Sequence, residues 1–131
     1  MKKITIISIT IAFLLLAFNA AASAQHGYRV EKRITFGRGQ TTTTVKGSIP
    51  NTLEGHEYIV SAGKGQNLTL GLFSTRDDIG FTIVRPNGEN LSDETDMRSW
   101  NGELPEGGEY HIIINTKKEG AARYTLEVTV E

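Results

Sequence analysis

Apolar and polar positions alternate with period two along most of the chain, and the alternation is clearest at the C-terminus. Tyr110, Ile112 and Ile114 alternate with His111, Ile113 and Asn115. Tyr124, Leu126, Val128 and Val130 alternate with Thr125, Glu127 and Thr129. Period two marks a strand with one buried face. Joined through Lys117-Lys118-Glu119-Gly120, these two strands predict a β-hairpin with a charged tip. Upstream, Val30, Ile34 and Phe36 share a face on which Lys32 is the misfit, the mark of a sheet edge. Val45, Gly47 and Ile49 face together in a Thr-rich stretch from Thr41. Tyr58, Val60 and Ala62 alternate with Glu57, Ile59 and Ser61, and Leu68, Leu70 and Leu72 line the next strand. Phe73 falls on the opposite face, which predicts that this strand is covered on both sides. Phe81 and Ile83 point inward from a short strand that stops at Pro86-Asn87-Gly88. Residues 89–99 read as an acidic surface loop with one short strand near Leu91, and Trp100 to Leu104 restarts the sheet.

No window carries sustained helical periodicity. Seven to eight short strands, separated by turns every ~8–12 residues, predict an all-β fold: an antiparallel β-sandwich, jelly-roll-like, over residues 25–131. Residues 1–24 read as a signal peptide. Lys2 and Lys3 supply the positive end, Ile4 to Phe18 an apolar run, and Ala22-Ser23-Ala24 a cleavage signal, with cleavage after Ala24. The expected destination is the bacterial periplasm or the medium, with no membrane attachment after cleavage. The chain has no cysteine, which excludes disulfides and a lipidated N-terminal cysteine.

Without Lys2 and Lys3, 12 basic residues stand against 15 acidic ones. That balance gives no footprint for nucleic acid. His26, His56 and His111 are far apart, and a zinc site needs three or four converging ligands, so no metal is expected from them. Asp93-Glu94-Thr95-Asp96 offers oxygens for calcium but lacks the spacing and turn glycine of an EF-hand loop. A solvated acidic loop is the plainer reading. No Gly-x-Ser-x-Gly elbow occurs, and most carboxylates fall in turns or on outward strand positions. No catalytic residue and no cofactor are assigned, and the chain reads as a non-enzyme. Trp100 and Tyr110 read as core or half-buried aromatics, and Tyr58 as a core or a surface residue. Lys117 and Lys118 are either a solvated turn or a cationic finger aimed at carboxylates of a partner.

Several segments together carry a resemblance. They are Thr44-Val-Lys-Gly-Ser-Ile49, Tyr58 to Leu68 with its Ala-Gly-Lys-Gly-Gln turn, Phe81-Thr-Ile-Val-Arg-Pro-Asn-Gly88, Trp100 to Pro105, Gly108-Glu-Tyr-His-Ile112 and Tyr124 to Val128. Their order and spacing resemble the bacterial pre-peptidase C-terminal-like β-sandwich group. Within that group they resemble the small periplasmic inhibitors of goose-type lysozyme. The resemblance implies an exported protein that inhibits a goose-type lysozyme by placing loops and basic side chains in its cleft. It also implies partner-binding roles for Tyr58, Lys117, Lys118 and Arg123, with lysines where that pattern has arginines. The alternative it leaves open is a non-catalytic module that contacts cell-envelope glycan. A calcium-stabilised structural domain is the third reading.

Overall fold

The computed structural model describes residues 27–131. The signal peptide, its cleavage site and His26 lie outside the described residues. Eight strands follow one another: β1 (Tyr28–Arg33), β2 (Thr42–Ile49), β3 (Glu54–Ala62), β4 (Asn67–Phe73), β5 (Ile79–Val84), β6 (Ser99–Glu103), β7 (Gly108–Thr116) and β8 (Ala122–Val130). They form two four-stranded sheets, β1-β3-β7-β5 and β2-β8-β4-β6. The inward positions of both sheets interdigitate as one core. Leu68, Leu70 and Leu72 of β4 and Ile112 and Ile114 of β7 belong to it, together with Phe81, Ile83, Tyr110, Leu126 and Val128. No helix among the described residues is long and apolar enough to cross a membrane.

The all-β sandwich is as the alternation predicts, and the pairing is not. The terminal hairpin does not form. β7 pairs with β3 and β5 in one sheet, while β8 pairs with β2 and β4 in the other. Residues 117–121 therefore arch across the sandwich instead of turning within a sheet. The same holds throughout the described residues: odd-numbered strands build one sheet and even-numbered strands the other, so every connection crosses between layers. Period two reports that one face is buried, and it says nothing about which sheet buries it. One further departure is that β1 runs parallel to β3, with Val30 opposite His56.

Turn chemistry fits the sequence. Gly65 and Gly88 adopt positive φ of 86° and 90° in the β3–β4 and β5–β6 connections, a region glycine enters without a Cβ penalty. The expected strand near Leu91 is absent among the described residues. The β5–β6 loop touches the free edge of β5 through single bridges at Asn90 and Met97 instead. Phe73 is a departure: among the described residues nothing covers its face, and the residue is 55% exposed. Tyr110 is fully buried, as expected for core. Trp100 is only half-buried, its indole lying over Gly102, where an added Cβ would meet the ring at 2.7 Å.

Candidate functional site

Three loops meet at one end of the sandwich: β2–β3, β4–β5 and the β7–β8 arch. Their meeting is built from polar anchors. Arg76 forms a forked pair with Asp78, Nε to Oδ1 at 2.7 Å and Nη2 to Oδ2 at 2.6 Å. The same guanidinium donates to the carbonyl oxygens of Gly120 at 2.6 Å and Lys118 at 2.8 Å. Asp78 Oδ2 in turn accepts the Lys118 N–H at 2.9 Å, and Thr52 donates to the Glu119 carboxylate. From β5–β6, Arg98 donates to the carbonyls of Leu72, Ser74, Arg76 and Ile79 at 2.8–3.3 Å. The arch that carries Lys117 and Lys118 is thus fixed by its neighbours' charges, because its backbone groups have no sheet partner.

The Arg76 guanidinium, with the Lys118 N–H, holds the Asp78 carboxyl well below the usual carboxylate range, against the opposing effect of burial. Asp78 then binds its proton more weakly in the folded state than in the unfolded one. Its stabilisation is complete above the unfolded value of about 4 and is lost as pH falls below it. The expected result is that Asp78→Asn lowers the melting temperature at pH 7 and flattens its fall between about pH 4 and pH 2. Parallel acid limbs for wild type and variant would show that the clamp is not what acid breaks.

The four residues implied by the resemblance separate into different environments. Lys118 and Arg123 are exposed, and among the described residues neither side chain has an acidic partner. Lys117 is 65% exposed but pairs with Asp96 at 2.9 Å, a surface contact worth ~0–1 kcal/mol that a partner can displace. Tyr58 does not belong with them. It is 2% exposed and faces the core. Its hydroxyl hydrogen-bonds the Tyr124 hydroxyl at 2.5 Å, which is 2.6 Å from His56 Nδ1, and His56 Nε2 is 3.0 Å from Glu54 Oε2.

This Tyr58–Tyr124–His56–Glu54 chain runs from the core to the start of β3 and satisfies every polar atom it buries. Burial first, and the Tyr58 hydrogen bond second, push the Tyr124 phenol far above its ordinary value. The phenol therefore stays protonated and is no nucleophile. The chain is a structural network. His111 is likewise engaged, its Nδ1 2.9 Å from Glu57 Oε1, and no cluster of three or more potential metal ligands occurs among the described residues.

A concave surface continues from the loops onto the outer face of the β2-β8-β4 layer. Ser74 joins the two, donating from Oγ to the Arg123 carbonyl at 2.6 Å. Register puts Lys46, Thr125 and Phe73 side by side across β2, β8 and β4, with Arg123 two residues along β8 from Thr125. These side chains, with Gly47, Ser74, Thr75 and Tyr124, line a groove of about 670 Å³. Sequence reasoning did not find Lys46 or Phe73, because their adjacency depends on three strands distant in the chain.

No family model matches the chain, and no curated protein matches it. Solved structures do. A periplasmic lysozyme inhibitor of g-type lysozyme from Aeromonas hydrophila is 19% identical, with TM-score 0.71, over 80% of this chain and 99% of that one. The inhibitor of g-type lysozyme from Salmonella Typhimurium is 17% identical, with TM-score 0.60, over 77% of this chain and 97% of its own. The pre-peptidase C-terminal domain of a Bacillus anthracis collagenase is 16% identical, with TM-score 0.52, over 82% and 98% of the two chains. The fold is therefore that of the group the sequence motifs resemble.

Proposed function

We propose that this protein is an exported, non-enzymatic inhibitor of a goose-type lysozyme that docks the β7–β8 arch and its neighbouring cations in the enzyme's cleft. The observation that carries the reading is the extent of the fold match. Almost the whole length of two periplasmic inhibitors of g-type lysozyme superposes on this single sandwich. The charge distribution supports it. Among the described residues Lys118 and Arg123 have no acidic partners, and they stand beside Lys117, whose surface ion pair is readily exchanged. Arg123 can grip a carboxylate with two parallel hydrogen bonds, whereas Lys118 acts as a mobile point charge. Tyr58 contributes indirectly, by anchoring the start of β8 through Tyr124. The N-terminal pattern Lys2 to Ala24 and the stated location of those two inhibitors support a periplasmic or secreted location.

The test is lysis of peptidoglycan by goose-type and chicken-type lysozymes, titrated with the purified protein. Stoichiometric loss of goose-type activity alone is expected. Undiminished lysis by both enzymes would overturn the reading. Within it, the triple replacement Lys117→Ala, Lys118→Ala and Arg123→Ala should raise the concentration for half-inhibition by about tenfold or more without lowering the melting temperature. Unchanged inhibition by the triple variant would move the docking surface elsewhere.

A further inference from the structure

The outer face of the β2-β8-β4-β6 layer differs from its counterpart across the sandwich. On the β1-β3-β7-β5 side the charges neutralise one another: Arg33 pairs with Glu109, and Glu57 with both Arg29 and His111. The β2-β8-β4-β6 side carries mostly hydroxyl and amide groups, with Glu127 and Glu103 as exposed carboxylates. Thr42 bonds Thr129 at 2.8 Å, and Asn101 donates to Thr69 at 3.0 Å. At one end of this face stand Lys46 and Arg123, neither with an acidic partner among the described residues. Between them and the strand edge, Phe73 exposes an aromatic ring.

We propose that this groove is a binding site for an anionic saccharide, with a sugar ring stacked on Phe73 and its carboxylate held by Arg123 and Lys46. The proposal shares Arg123 with the inhibitory surface and otherwise stands apart from lysozyme inhibition. Phe73 and Lys46 stand two strands apart, about 10 Å, and the small Thr125 between them leaves a floor for one sugar ring. Phe73 ends a paired strand, so its ring is presented from rigid backbone. The volume of about 670 Å³ lies in the range of small-ligand sites, roughly 300–1,000 Å³. Two cations without acidic partners among the described residues make the complementary group an anion, and the planar guanidinium favours a carboxylate.

The surrounding hydroxyls of Thr75 and Thr125 match sugar hydroxyls better than they match an apolar peptide. A lone exposed ring is also too little apolar surface for a protein interface, which buries about 800 Å² from each partner. Glu127 lies two residues along β8 from Thr125, on the side away from Arg123, outward and opposite Thr44. It opposes a second carboxylate in that direction and so orients the anionic end toward Arg123.

The test is calorimetric titration of the purified protein, at low salt, with trigalacturonate, with neutral chitotriose, and with hexaglutamate as an acidic peptide. Trigalacturonate should bind, and Phe73→Ala and Lys46→Ala should each weaken it about tenfold. Chitotriose and hexaglutamate should each bind about tenfold more weakly than trigalacturonate. Both positions are exposed, so the variants should melt with wild type. Should Phe73→Ala melt early, Lys46→Glu carries the decision, because it leaves the ring in place. Absence of trigalacturonate binding overturns the proposal. So does equal binding of hexaglutamate that Phe73→Ala leaves unchanged, which would make the groove a cationic surface for acidic protein segments. Weakened trigalacturonate binding with intact lysozyme inhibition in Phe73→Ala would separate this site from the inhibitory one.

Discussion

Tyr110→Ala should destabilise the protein by about 3–5 kcal/mol, read as a shift of the urea midpoint at constant slope. The ring is fully buried. It lies on β7 opposite Val60 of β3, in the core shared by both layers. Truncation removes the transfer energy of an aromatic side chain and leaves a cavity that paired strands on both flanks cannot close. The hydroxyl has a separate role, donating to the Glu106 carbonyl at 2.6 Å and fixing the approach to β7 four residues upstream. Tyr110→Phe should therefore cost only about 1 kcal/mol. Trp100→Ala, at a half-buried position on an edge strand, should cost less than Tyr110→Ala. An unshifted midpoint for Tyr110→Ala would contradict this packing.

The second large effect is expected at a residue with no side chain. Gly47 faces inward on β2 directly opposite Tyr124 of β8. A Cβ there would meet Tyr124 Cζ at 2.5 Å and press on its hydroxyl. Backbone on both sides is held by the sheet ladder, so the ring must move. Moving it breaks the hydrogen bonds to Tyr58 and His56. Overpacking and an unsatisfied buried network together make about 2–4 kcal/mol the expected loss for Gly47→Ala. In the Tyr124→Leu background, where the ring is gone, the same substitution should cost much less. The coupling in that double-mutant cycle is the measurement, and additivity would show that the two residues do not meet.

Much of the fold was legible because burial follows from alternation. The inward sets Val45-Gly47-Ile49, Leu68-Leu70-Leu72 and Tyr124-Leu126-Val128-Val130 all lie where period two puts them. Tyr58 shares a face with Val60 and Ala62, so the same rule already turned it inward. Its assignment as a surface contact came from resemblance and not from its own strand. Pairing was illegible for a physical reason. A short polar connector such as Lys117 to Ala121 has the same composition whether it turns within a sheet or arches between two. The groove was illegible for the same reason, since Lys46, Phe73 and Arg123 become neighbours only once β8 lies between β2 and β4. The Arg76–Asp78 clamp left only a polar loop in the sequence, and nothing there fixes which backbone carbonyls an arginine will find.

The crossing connections have a consequence for the order in which the molecule can be made. Among the described residues no two consecutive strands pair, so no local hairpin exists to nucleate structure, and every ladder waits on a distant segment. The latest strands are also joining strands. β7 links the β1–β3 pair to β5, and β8 links β2 to the β4–β6 pair. A chain delivered N-terminus first, from a ribosome or through a narrow pore, therefore presents split half-sheets with open edges until β8 emerges. Such a chain stays threadable during passage and depends on protection from aggregation until it is complete. The last nine residues of regular structure, Ala122–Val130, act as a latch.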